Sequence, residues 1–219
     1  MTIDAVCFDL DDTLYNYEQY ARAGLESAAE TLEMETGHQL HDELVELYFD
    51  ENRTEGTFDT LLEQHGLSPE LSDSLVDAFH SATTPLSPYP ETVPLLGTLA
   101  ERYELGLITD GRGGHQKLDR LNIRRYFDEI LVTPQIKRSK HESIVFEQVL
   151  DSLSVEPSAT IYVGDDPRVD FLVPNELGMY TVRLHRGRYT ELTAQNTRQR
   201  PDYRIHSLNA LCHIVSTID

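Results

Sequence analysis

The chain has 219 residues, 38 of them Asp or Glu against 18 Lys or Arg, and a formal net charge of −20, which disfavours non-specific attraction to nucleic acid or an anionic membrane. That length suits one domain, or a domain carrying an insertion. No apolar run approaches a bilayer span, and MTIDAV lacks the basic start and apolar centre of a signal peptide, so a soluble, cytoplasmic protein is expected.

In chain order, the first predicted element is the strand-like run VCFDL, which ends among three carboxylates, Asp9, Asp11 and Asp12. Carboxylates packed this closely raise one another's pKa unless a cation or hydrogen-bond donors offset them. From Glu18 to Ala82 the pattern turns helical: Leu25, Ala28, Ala29 and Leu32 recur at helical spacing, and shorter amphipathic stretches follow around 44–48, 58–62 and 71–79. Residues 15–88 hold 16 acidic side chains against only Arg22 and Arg53, so this segment reads as a separate body. LSPYPET carries two prolines and reads as the return linker. LGLIT, EILVT, TIYVG and YTVRL then alternate with helical patterns, the βαβ rhythm of a parallel sheet covered on both faces. The expected fold is α/β: a doubly wound, mainly parallel, Rossmann-like core sheet from residues 1–14 and 89–219, with an inserted α-helical module at 15–88.

The polar residues fall just after the apolar runs: Asp9 and Asp11 after VCF, Thr109, Asp110 and Gly111 after LGLI, and Gly164, Asp165 and Asp166 after TIYV. In an open parallel sheet these ends share the edge where ligands bind. If the first strand continues, Asp9 and Asp11 point to the same side. Converging carboxylates suit Mg²⁺, which takes oxygen ligands and retains water. Helix capping by Asp12 or by Asp165 and Asp166 explains single clusters, but gives no reason for three successive strand ends to be polar.

These residues resemble the haloacid dehalogenase superfamily, in its phosphatase branch with a helical cap after the first strand. FDLDDTLY resembles its first motif, LITDG its second, SKHESIVF its third and VGDDPRVDF its fourth. The resemblance implies that Asp9 is the nucleophile that forms an aspartyl phosphate, and that Asp11 is the acid and base. It also implies Mg²⁺ held by Asp9, Asp165 and the Asp11 carbonyl. Thr109, Asp110 and Lys140 would bind the phosphoryl group, Thr13 would steady the loop, and Asp170 would orient Lys140 or reach the metal through water. The chain reads Ser139-Lys140-His141 where the family often has Gly-Lys-Pro, which makes Lys137 a rival, but the interval to Phe146 favours Lys140. Asp110 stands where many members carry Asn, and its backbone N–H serves in either case.

The implied substrate is a small phosphorylated metabolite such as a sugar phosphate, a nucleoside monophosphate or phosphoglycolate, with no nucleic-acid or membrane partner and no implied oligomeric state. A phosphomutase or a haloacid dehalogenase shares the fold, although Asp11 argues against the dehalogenase. A non-catalytic binding or regulatory module is the alternative from another class, yet Asp9, Asp11, Lys140 and Asp165 are all present. Cys7 and Cys212 read as small core residues. His115 and His141 read as surface residues, and GRGGH as the turn into a helix. Tyr15, Tyr17, Tyr20 and Arg22 either line the cap side of the cleft or form cap core. An acidic, lysine-poor surface suits a salt-rich cytoplasm or ordinary acidic solubility.

Overall fold

The computed structural model describes residues 2–218. Six strands, β1 (Ala5–Phe8), β2 (Glu104–Thr109), β3 (Glu129–Val132), β4 (Thr160–Gly164), β5 (Tyr180–Leu184) and β6 (Tyr203–Ile205), form one sheet in the order β3-β2-β1-β4-β5-β6. Every neighbouring pair is parallel. Buried on both faces, such strands must be apolar throughout, as AVCF and TIYVG are. The first five strands match the runs read from sequence. Tyr203–Ile205 has three residues with Arg204 exposed, too short for an alternation to register.

Strand order reverses between β1 and β4, and in doubly wound sheets that switch point opens a crevice beyond the strand ends. Asp9 follows β1 there and Asp165 follows β4. Under one sheet face, Cys7, Ile108, Leu131 and Tyr162 pack with Val145, Phe146, Val149 and Leu150.

Two compact units divide the chain, Met1–Tyr17 with Leu86–Asp219, and Glu18–Pro85. The boundaries expected at 15 and 88 fall inside a piece of backbone pairing, because Tyr15 bridges Pro88 and the Tyr89 N–H donates to the Leu14 carbonyl at 3.1 Å. The second unit contains α1 (Glu18–Thr36), α2 (His41–Val45), α3 (Thr57–Gln64) and α4 (Ser72–Ser81). α1 approaches α4 closely at Gly24, where a Cβ would lie 2.5 Å from the Phe79 ring. Tyr20 meets that ring edge-on and pairs with His80 Nδ1 at 2.9 Å, so Tyr20 belongs to the core of the helical unit. Arg22 lies over the Phe49 ring. The first unit adds α5 (Thr92–Leu99), α6 (Gly114–Arg120), α7 (Ser143–Leu153), α8 (Leu172–Leu177) and α9 (Leu211–Ile218).

Cys7 is fully buried and burial pushes its thiol up to about 12, whereas Cys212, on α9, is only half-buried and not the core residue its apolar neighbours suggested. No described helix is long and apolar enough to cross a membrane.

Candidate active site

The first strand does not run through the carboxylates. β1 ends at Phe8, the Asp9 N–H still donates to Val163 at 2.9 Å, and the chain then turns, with Thr13 and Leu14 donating to the Leu10 carbonyl. Asp12 takes the left-handed backbone (φ 61°), which Asp tolerates better than most residues. The turn sends Asp9 and Asp11 to different lysines.

Asp9 accepts a very short hydrogen bond from Lys140 Nζ and one of 3.2 Å from the Thr13 hydroxyl. That hydroxyl also lies 3.5 Å from Asp165 Oδ1. Lys140 Nζ donates to Asp170 at 2.8 Å. The other Asp170 oxygen accepts the Asp165 and Asp166 N–H groups at 3.0 and 2.8 Å, and Tyr162 adds its hydroxyl to the first. Asp170 can fold back in this way because residue 164 is glycine: a Cβ there would meet the carboxyl carbon of Asp170 at 2.5 Å. One carboxylate oxygen from each of Asp9, Asp165 and Asp170 lies within 4.8 Å of the others, all buried.

Three buried carboxylates face one ammonium. Burial pushes Asp9 up to about 7; Lys140 pulls it back, and Asp170 and Asp11 add to the rise. Asp165 is raised well above its ordinary value by burial and by the Asp170 and Asp9 charges. Burial disfavours the Lys140 ammonium too, yet Asp170 and Asp9 raise its pKa, so the lysine stays charged and the carboxylates stay under-compensated. Asp165 Oδ2 is buried with no hydrogen-bond partner. A divalent cation fits this donor set: hard carboxylate oxygens, excess negative charge and an orphaned acceptor. Asp170 is already saturated by donors, which leaves Asp9 and Asp165 as the side chains able to hold the ion.

Asp11 lies in a different environment. Burial works against its carboxylate, yet its pKa is lowered by Lys117, Tyr15 and Arg188. Lys117 Nζ donates to both oxygens, at 2.8 and 2.7 Å, and the Tyr15 hydroxyl to Oδ1 at 2.6 Å. Tyr15 therefore braces the carboxylate loop, and the Tyr17 ring stacks under Arg188 at 3.7 Å.

The remaining expected residues divide. Thr109 is buried at the end of β2, and its Oγ1 accepts the Gly111 N–H at 3.1 Å. The Asp110 carboxylate accepts from Thr133 Oγ1 at 2.5 Å and from the Lys140 N–H at 3.1 Å, so its side chain braces the loop that carries Lys140. Lys137 is exposed, in a left-handed turn after Thr133–Ile136. Asp12 bonds the Tyr17 N–H at 3.0 Å and Arg188 Nε at 2.6 Å, while Asp166 caps the turn at Arg168. His115 contacts Arg124 and His141 is exposed. Lys117, Arg188, Tyr162 and the fully buried Arg183, which donates to the Asp165 carbonyl at 3.1 Å, were not singled out from sequence. Lys117 carried a usable signal, being one of three lysines in the chain.

A family model for haloacid dehalogenase-like hydrolases matches residues 6–183. A protein named glyceraldehyde 3-phosphate phosphatase from Methanopyrus kandleri is 34% identical over 97% of each chain. One named ribulose-1,5-bisphosphate 5-phosphatase from Halopiger xanaduensis is 30% identical, over 97% of this chain and 99% of its own. Among solved structures, a 2-haloacid dehalogenase from Pseudomonas syringae superposes over 100% of both chains, with a TM-score of 0.70 and 25% identity. With its carboxylate-bearing loop at the sheet's switch point and a family match that covers most of its length, the chain belongs to the haloacid dehalogenase-like hydrolases.

Proposed function

We propose that this phosphoric monoester hydrolase of the haloacid dehalogenase superfamily acts on a small phosphorylated sugar, requires Mg²⁺ and works through an aspartyl phosphate on Asp9. The observation that carries the reading is the buried group of Asp9, Asp165 and Lys140, under-compensated in charge and with Asp165 Oδ2 unpartnered. The names of the two archaeal relatives support a phosphorylated short sugar as the substrate class.

Asp9 attacks phosphorus, and the leaving oxygen takes its proton from Asp11; Asp11 later removes a proton from the water that hydrolyses the acyl phosphate. A cation held by Asp9, Asp165 and the Asp11 carbonyl would supply positive charge to the phosphoryl oxygens and restore Asp9 to its anionic form. Lys140 adds a fixed charge beside Asp9 and is held in line by Asp170. The Thr109 Oγ1 accepts from Gly111, so its own hydrogen is left to donate to phosphate, and the Asp110 N–H is a second donor. Thr13 ties Asp9 to Asp165. Phosphate monoester hydrolysis can require accelerations of up to about 10²¹, and a general acid supplies only about 10²–10⁴, so positioning and electrostatics must supply most of the remainder.

Phosphate release from a panel of triose, pentose and hexose phosphates, nucleoside monophosphates and phosphoglycolate, with Mg²⁺ or with EDTA, tests this. Mg²⁺-dependent turnover strongest on a sugar phosphate is expected. Unchanged turnover in EDTA overturns the cation, and preference for a nucleotide overturns the substrate class.

A further inference from the structure

We propose that Lys117 is a positioning residue for Asp11, aiming its carboxyl group at the leaving oxygen, so that Lys117 and Asp11 form a proton-transfer unit separate from Asp9 and Lys140. The proposal rests on the reading of Asp11 as acid and base.

The chain has three lysines; one is exposed, and the other two are buried, each on a different carboxylate of the same loop. A lysine buried without a function is uncommon, because an ammonium is expensive to desolvate. Lys117 reaches both Asp11 oxygens from α6, and Tyr15 takes Oδ1 from the opposite end of the loop. With three hydrogen bonds from two side chains on its two oxygens, the carboxyl plane is fixed. The backbone closes over the pair at Gly111, where a Cβ would lie 2.4 Å from Asp11 Oδ2 and 2.8 Å from Lys117 Nζ. Exposure separates the roles within the pair: the Lys117 side chain is 2% exposed and that of Asp11 14%. Asp11 is the accessible end, so Lys117 acts through it.

The chemistry gives this clamp a purpose. When Asp9 bonds to phosphorus, the bond from phosphorus to the leaving oxygen breaks, its electron pair stays on that oxygen, and a proton passes to it from Asp11, which must first take that proton up from solvent at the expense of one Lys117 hydrogen bond. The carboxylate left on Asp11 faces the Lys117 ammonium. A sugar hydroxyl leaves poorly without that proton, whereas p-nitrophenoxide leaves well without it.

The difference supplies the experiment. Single-turnover release of the leaving group is measured by rapid quench with full-length protein in saturating Mg²⁺, using the best alkyl phosphate of the panel and p-nitrophenyl phosphate. Lys117→Met should slow release of the alcohol by about 30-fold or more and release of p-nitrophenol by less than about 3-fold, a split that can fall short of the ~10²–10⁴ of a general acid because Asp11 itself remains. Asp11→Asn should divide the two substrates in the same direction. Lys117→Gln, which keeps a donor but loses the charge, should give a smaller split of the same sign, and it serves if the Met variant fails to fold by circular dichroism. Equal slowing of both substrates makes Lys117 a structural staple and overturns the proposal, as does no slowing. A split in Asp11→Asn without one in the Lys117 variants overturns only the role of Lys117. No split in Asp11→Asn overturns the acid assignment and the proposal with it.

Discussion

Removal of divalent cation should make the protein lose stability as pH rises from about 4 to about 7. Burial lifts Asp9 from 3.8 to about 7. A carboxyl whose pKa is higher in the folded state binds more protons there than in the unfolded chain. Its contribution is therefore full below the unfolded pKa and is lost as pH climbs through the folded one. About three units at roughly 1.4 kcal/mol each give a loss of about 4 kcal/mol, and Asp165 pushes in the same direction. For a chain of this length that is about 10 °C in Tm, at roughly 2–4 °C per kcal/mol. Asp11 and Glu91 have lowered pKa values, so their contributions are lost as pH falls below the ordinary carboxylate range and stay complete across this window.

Thermal melts from pH 4.5 to 7.5, in EDTA and in millimolar Mg²⁺, read the effect. In EDTA the wild-type Tm should fall across the window and Asp9→Asn, which has no charge to bury at that position, should fall much less. Mg²⁺ should flatten the wild-type curve by lowering the pKa of the carboxylates it meets. Identical slopes for wild type and Asp9→Asn in EDTA would refute the reasoning, because the buried charge would then be compensated by something other than a cation.

Asp9→Asn should abolish turnover, below about 10⁻³ of wild-type kcat, while circular dichroism stays unchanged, since it removes the attacking charge but little volume. Asp165→Asn should raise the Mg²⁺ concentration needed for half-maximal activity by tenfold or more; an unchanged Mg²⁺ titration rules it out as a ligand. Lys140→Ala should lower kcat by about 10²-fold or more and Lys137→Ala by less than twofold, because only Lys140 lies against Asp9; the reverse pattern exchanges their roles. Gly164→Ala should cost about 2 kcal/mol in urea denaturation and weaken Mg²⁺ dependence, since the new Cβ displaces the Asp170 carboxyl that holds the Asp165 and Asp166 amides; a neutral substitution shows that this brace is slack.

The sequence made the sheet legible because five of its strands are largely apolar runs, four of them ending at acidic or hydroxyl residues, where parallel strands place their polar chemistry. β6 was illegible for the opposite reason, three residues with an exposed centre. Alternation placed Asp9 and Asp11 on one side of a continuing strand, but hydrogen bonds from Thr13 and Leu14 to Leu10 turn the chain after Asp9, and a turn of this kind leaves no period to read. Lys117, Arg183 and Arg188 escaped because each meets its partner only through the fold: Lys117 lies 106 residues from Asp11, and Arg188 lies 176 from Asp12. Helical periodicity marks Leu118 and Leu121 as core and is silent about a lysine buried beside them.

The two lysine–aspartate pairs explain how one loop can hold two carboxylates whose pKa values move in opposite directions. Lys140 is shared between Asp9 and Asp170, so part of its attraction is spent away from Asp9, and burial dominates there. Lys117 donates to both Asp11 oxygens, Tyr15 and Arg188 add to its pull, and attraction dominates at Asp11. The lowered direction at Asp11 favours the carboxylate, which suits a base that takes a proton from water and not an acid that gives one. The direction at Asp9 is the wrong one for a nucleophile at neutral pH unless positive charge arrives. A cation at Asp9 and Asp165 would therefore do more than bind phosphate: it would offset the burial that raises Asp9 and favour the carboxylate ready to attack. Dependence of kcat on Mg²⁺ should then be steeper at pH 6 than at pH 8, because at the higher pH Asp9 is ionised without help. Equal dependence at the two pH values would mean that the ion acts on the phosphate alone.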